Sequence, residues 1–133
     1  MAPRILAGIV ALLLTATSVL AQPRPQAQGE QQPTRGEDWY RGQLVELSEV
    51  LGGAHYLRIL CEGRDDQRWR IYMRGVIDRE PQYNGLLVDG FNRGYRNEEA
   101  RFPVCDTTTQ QMEAELRARG LRVAQALSAR HAD

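Results

Sequence analysis

The sequence predicts a small all-α domain of four helices that is closed by one disulfide bond. Apolar residues recur at spacings of three and four from about residue 38 onward, which is typical of amphipathic helices. No stretch keeps the period-two alternation of a half-buried strand. Two cysteines lie at the ends of apolar segments. We predict a signal peptide at 1–21, a disordered linker at 22–36 and the helical domain at 37–133.

The first residues are typical of an export signal. Arg4 precedes an apolar run, residues 5–20, that contains no charged residue. Val19-Leu20-Ala21 places small residues where a signal peptidase reads them, which predicts cleavage after Ala21. A spanning helix needs about 20 apolar residues, so this shorter run favours a periplasmic protein without a membrane span over a retained anchor. Residues 22–36 contain three prolines and no large apolar side chain, which is typical of a disordered linker.

The charges of the chain balance, with 17 basic and 17 acidic residues. Nonspecific nucleic-acid binding needs a basic excess, so we expect no nucleic-acid partner. Every basic residue is an arginine. This usage fits either the codon bias of a GC-rich genome or selection for bidentate contacts with anions.

Cys61 and Cys105 are the only cysteines, and in an exported chain such a pair predicts a disulfide. A zinc site is the alternative, but the cysteines, His55 and His131 do not show paired short ligand spacings. There is no Cys-x-x-Cys motif for redox chemistry or haem attachment. We therefore expect no metal and no cofactor.

The first and second helices are predicted from their apolar faces and end signals. The first covers about 38–61, and Gly52-Gly53 either breaks it or lets another backbone come close. Asp65 or Asp66 can cap the second helix, which Pro81 stops. The expected buried residues are Leu44, Leu47, Leu51, Ala54, Leu57 and Cys61 in the first helix, and Trp69, Met73 and Val76 or Ile77 in the second.

The third helix is expected from near Gln82 to Pro103, and the fourth from Thr107. A capping box of Thr107 with Gln110, or of Thr108 with Gln111, would start the fourth helix. The expected buried residues are Leu87, Phe91, Tyr95 and Phe102 in the third helix, and Met112, Leu116, Val123 and Leu127 in the fourth. Gly90 and Gly94 could face Gly52 and Gly53, which would let the first and third helices cross closely.

Two segments carry the candidate functional residues, 51–61 and 91–96. If the first and third helices cross at their glycines, one cluster forms from His55, Tyr56, Arg58, Asn92, Arg93 and Tyr95. The interpretation that we favour is a buried polar network that docks the helices, ahead of a ligand or partner site. A catalytic site is the third alternative, but a general base needs a nucleophile and an orienting group, and the sequence identifies neither.

Other residues allow further alternatives. The arginines between Arg64 and Arg74 could hold an anionic ligand, but the interleaved Asp65, Asp66 and Asp78 favour a solvated, self-paired surface. Glu46 and Glu49 are three residues apart, although a glycan hydrolase needs its two carboxylates about 5–10 Å apart in a cleft.

The chain resembles a family of small exported bacterial proteins through four features. These are the His-Tyr-Leu-Arg-x-Leu-Cys stretch ending at Cys61, Trp69-Arg70, the segment from Phe91 to Arg96, and Cys105. The family's members are about 120 residues long, come largely from alphaproteobacteria and are conserved hypothetical proteins of unknown function. The resemblance covers Tyr40 to Leu127. It implies periplasmic export and no known activity, so it supplies no catalytic residues.

The sequence as a whole favours a non-catalytic binding or interaction module of the cell envelope, with another envelope protein as its partner. The alternatives are a small enzyme acting on envelope glycan or peptide, and a binder of an anionic ligand. We name no catalytic residue, and no sequence feature sets the oligomeric state.

Overall fold

The computed structural model of the protein describes residues 34–131. Its helices are α1 (Arg35–Glu62), α2 (Arg68–Arg79), α3 (Asn84–Arg101) and α4 (Thr107–His131), with a 3₁₀ turn at Pro81–Tyr83. No strand occurs within these residues, so the predicted all-α fold of four helices is confirmed. The predicted signal peptide and all but the last three residues of the predicted linker lie outside the described residues.

Helix α1 begins two residues before the predicted domain start. The Thr34 hydroxyl accepts a hydrogen bond from the Glu37 N–H at 3.2 Å, and the Glu37 carboxylate accepts one from the Thr34 N–H at 2.6 Å. This capping box satisfies two backbone donors at once and therefore fixes the start of the helix.

Glycines bring the backbones of α1 and α3 into contact, and α1 continues through Gly52-Gly53 without a break. A Cβ atom on Gly52 would lie 1.9 Å from the carbonyl oxygen of Phe91, and one on Gly94 would lie 1.9 Å from that of Glu49. One on Gly90 would lie 2.1 Å from the Ser48 hydroxyl oxygen. The close crossing that the glycines predict is present, and only glycine fits at its contact points.

Helix α1 is the centre of the fold, because α2, α3 and α4 all pack against it. The predicted α2 stripe is confirmed, with Met73 and Val76 buried and Trp69 and Ile77 packed beside them. The main apolar core consists of Leu44, Leu47, Leu51, Met73, Val76, Leu87, Val123 and Leu127.

The buried face of α3 differs from the predicted one. Leu87 is buried as expected, but the residues that follow it against α1 are Gly90, Gly94 and Glu98. The aromatic residues expected in the core, Phe91, Tyr95 and Phe102, are only half-buried. The reason is steric, since the contact between backbones leaves no room for rings at the crossing and places them beside it.

The predicted disulfide is confirmed between Cys61 and Cys105, whose Cα atoms lie 5.1 Å apart. It joins the last turn of α1 to the segment just before α4. The two cysteines are 44 residues apart in the sequence. In the chain-entropy model, closing a loop of this length contributes roughly 4 kcal/mol to the free energy of unfolding.

The starts of α2 and α4 differ from the predicted caps. The side chain of Gln67, the residue before α2, makes no capping bond, and Asp66 accepts only a long bond, 3.4 Å, from the Arg68 N–H. At α4 the expected threonine capping boxes are wrong, because the Asp106 carboxylate accepts a hydrogen bond from the Thr109 N–H at 2.9 Å. The Thr109 hydroxyl is buried and donates to the Val104 carbonyl.

Within residues 34–131 no helix has both the length and the apolar character that a membrane span requires.

The glycine crossing predicts opposite effects for two glycine-to-alanine substitutions. Gly94→Ala should lower the free energy of unfolding by at least about 2 kcal/mol, because its methyl group would overlap the α1 backbone. Gly42→Ala is the matched control, since a Cβ there meets no atom within 4 Å and alanine favours helix by up to about 1 kcal/mol. Urea unfolding measures both, and equal destabilisation of the two variants would contradict the crossing.

Candidate functional site

A cleft lies between α2 and α3, with α1 as its floor. Both helices pack against α1 but share few contacts with each other, which leaves the space between them open. The cleft has a volume of about 610 Å³, within the range of small-molecule sites. Its apolar lining comes from all three helices and consists of Ile59, Met73, Ile77, Val88 and Phe91.

His55 is the most notable polar residue of this cleft. Its side chain is buried, and its ring centroid lies 5.6 Å from that of Phe91 and 6.1 Å from that of Tyr95. The Nδ1 atom has no hydrogen-bond partner among the described residues. The polar network that the sequence favours would need a partner for this nitrogen, and the described residues do not supply one.

The surroundings of His55 favour its neutral form. Burial lowers its pKa, and the positive charge of Arg70 lowers it further, while Asp66 acts in the opposite direction. A neutral imidazole has one nitrogen that donates a hydrogen bond and one that accepts. His55 can therefore offer either function to a group in the cleft.

Three of the six predicted cluster residues line the cleft, namely His55, Asn92 and Tyr95. Tyr56 lies beside it, where its ring meets the Tyr95 ring edge-on with centroids 5.2 Å apart. The Tyr56 hydroxyl donates to the carbonyl oxygen of Phe102 at 2.5 Å. Tyr56 therefore ties α1 to the end of α3 and does not line the cleft.

The other two cluster residues make ion pairs away from the cleft. Arg58 contacts Asp66 at 2.8 Å and lies 3.8 Å from Glu113 on α4. Arg93 reaches back to Glu49 on α1 at 2.5 Å. Both guanidinium groups connect separate elements of the fold through these ion pairs.

Three arginines from the segment after α1 and from α2 line the cleft, Arg64, Arg70 and Arg74. All three are exposed, and none forms an ion pair within residues 34–131. The self-paired surface expected for this run forms only in part, because Asp66 pairs with Arg58 and Arg68. The sequence shows this run of arginines as a candidate site for an anion. The spacing alone does not show which of the arginines pair with the interleaved acids.

The glutamates considered for glycan chemistry lie elsewhere. Glu46 pairs with Arg119 at 2.9 Å, Glu49 pairs with Arg93, and neither lines the cleft. No cluster of three histidine, cysteine, aspartate or glutamate side chains that could hold a metal ion is found in residues 34–131.

A smaller apolar cavity of about 160 Å³ lies between α1, α2 and α4. Trp69 lines it, and its indole Nε1 has no hydrogen-bond partner in the described part of the chain. Tyr72 and Leu121 also line it while remaining 49% and 60% exposed. This side of the molecule therefore presents apolar side chains to solvent.

The fold and the cleft define a small disulfide-closed helical domain with a cleft of about 610 Å³ between α2 and α3. Residues 39–131 match the model of a family described as "Protein of unknown function (DUF2385)", and the chain belongs to that family. No curated protein and no solved structure matches the chain.

The lowered pKa of His55 predicts a loss of stability in acid. The unfolded chain, in which histidine has an ordinary pKa of about 6.5, takes up this proton more readily than the folded chain. As the pH falls through about 6.5, His55 should therefore lower the free energy of unfolding. In His55→Gln this contribution is absent, so between about pH 8 and pH 5.5 the wild type should lose more stability than the variant. Parallel pH profiles in urea unfolding would contradict the prediction.

Proposed function

We propose that this protein is a non-catalytic binding module of the cell envelope, exported to the periplasm, and that the cleft beside His55 is its ligand site. The observation that carries the proposal is a buried histidine, His55, in the floor of a cleft of about 610 Å³, whose Nδ1 atom has no hydrogen-bond partner within residues 34–131. Buried polar groups are almost always paired, so an unpaired nitrogen on a side chain that lines a cleft favours an external partner.

The surroundings of His55 support binding more than catalysis. A histidine that acts as a general base is oriented by a hydrogen bond to a third group and lies next to a nucleophile. The neighbours of this imidazole are instead the rings of Phe91 and Tyr95. An enzyme acting on glycan or peptide remains the alternative, but the ion pairs of Glu46 and Glu49 do not favour it.

The disulfide supports the proposed location. Such bonds persist in oxidising compartments and are rare in the cytosol. The export signal that the sequence predicts in residues 1–21 would direct the chain to such a compartment. The protein isolated from a periplasmic extract should therefore begin at Gln22, and an N-terminus at Met1 would contradict export.

Native mass spectrometry of that periplasmic protein tests the ligand site. We expect a species heavier than the bare chain, because the cleft would retain a small molecule. Asn92→Trp should abolish or strongly reduce this species, since Asn92 is exposed and lines the cleft, and the indole would occupy part of the space that a ligand needs.

Asn97→Trp is the matched control, because Asn97 is also exposed on α3 but does not line the cleft. Both variants should keep the wild-type melting temperature. If the bound species is the same in Asn92→Trp as in Asn97→Trp, the cleft is not the site.

A second candidate function is binding of another envelope protein. The observation that favours it is the exposure of Tyr72 and Leu121 beside the smaller apolar cavity. Exposed apolar side chains that flank a groove are typical of protein interaction surfaces.

Affinity capture from periplasmic extract tests this second candidate. Tyr72→Arg and Leu121→Arg should each reduce the captured partner severalfold, because each places a charge on the apolar surface. Leu86→Arg is the control, since Leu86 is 47% exposed on α3 and lines neither cavity. Equal capture by all three variants would exclude this surface.

A further inference from the structure

The charged residues that line the cleft all have one sign. Arg64, Arg70 and Arg74 contribute to its lining, and no aspartate or glutamate does. Asp66, whose negative charge acts on the His55 imidazole, does not line the cleft and pairs with Arg58 and Arg68. The residues that line the cleft therefore carry a net positive charge, although the chain as a whole is neutral.

The arginines lie where an anion would relieve repulsion between them. Arg70 and Arg74 are one turn apart on α2, and like charges at this spacing oppose each other. Neither forms an ion pair with another described residue. A planar guanidinium group matches the oxygens of a carboxylate or a phosphate through two parallel hydrogen bonds.

The rest of the lining suits an apolar group. Met73 is buried below the arginines, and Ile77 and Phe91 line the cleft from α2 and α3. A bare inorganic anion would leave this surface in contact with water. Each buried methylene of a ligand would strengthen binding about fourfold.

We infer that the cleft binds a small soluble organic acid, with its carboxylate or phosphate on Arg64, Arg70 and Arg74 and its apolar part against Met73, Ile77 and Phe91. The imidazole of His55 lies at the floor and provides one hydrogen bond to a polar atom of the ligand. This inference rests on the proposed ligand-binding function and specifies the chemistry of the ligand.

Isothermal titration calorimetry of the mature, disulfide-bonded protein tests the inference with a matched set of probes. Hexyl phosphate and hexanoate should bind. 1-Hexanol and hexylammonium should bind at least about tenfold more weakly, because they lack the anionic group. Inorganic phosphate should bind more weakly than hexyl phosphate, because it lacks the apolar part. Added salt should weaken binding of both organic anions.

Substitutions then locate the anionic group. Arg70→Gln and Arg74→Gln should each weaken binding of hexyl phosphate roughly three- to tenfold, between the effects of an exposed and a buried charged contact. Arg96→Gln should change nothing, because Arg96 is exposed, without an ion pair to a described residue, and outside the cleft lining.

The outcomes separate this inference from the proposed function. If 1-hexanol or hexylammonium binds as tightly as hexyl phosphate, the inference that the ligand is an organic acid is wrong. Asn92→Trp then shows whether these probes still bind in the cleft. Co-sedimentation with phosphatidylglycerol vesicles, without binding of hexyl phosphate, overturns it in favour of a lipid surface. Failure of every probe also overturns it, whereas native mass spectrometry of the periplasmic protein tests the cleft independently of the ligand's identity.

Discussion

The crossing of α1 and α3 is the constraint on which the rest of the structure depends. Two carbonyl oxygens, of Phe91 and Glu49, occupy the space that a Cβ atom would need at Gly52 and Gly94. At such a distance the helices interlock through their backbones and not through large side chains. The position of α3 relative to α1 is therefore set sterically, and substitutions at these glycines must move a whole helix.

The cleft is a consequence of this crossing. Because glycines occupy the contact, the aromatic residues of α3 project to its sides, where Phe91 and Tyr95 meet His55. Helix α2 packs on another part of α1 and does not close the gap. The disulfide holds the end of α1 next to the start of α4. Helices α2 and α3 therefore lie within the covalent loop that this disulfide closes. A domain of this size can thus keep a sizeable cavity beside its core.

The ion pairs divide the arginines into two groups. Arg58, Arg93 and Arg119 connect elements that are distant in the sequence, through Glu113, Glu49 and Glu46. Each of these pairs uses an acid that could otherwise compensate charge elsewhere. Among the described residues, the arginines that line the cleft have no such partners, so a neutral protein has a locally positive cleft.

The sequence by itself determined the number and type of helices, the disulfide and the glycine crossing, because each follows from local periodicity or from the chemistry of one residue type. It also identified His55, Asn92 and Tyr95 as neighbours. Only the tertiary structure decided that Arg58 and Arg93 turn away, that Arg64, Arg70 and Arg74 face the cleft, and that Asp106 caps α4. These outcomes depend on distances between side chains on separate elements and on which of several nearby acids each arginine reaches, and sequence spacing contains neither quantity.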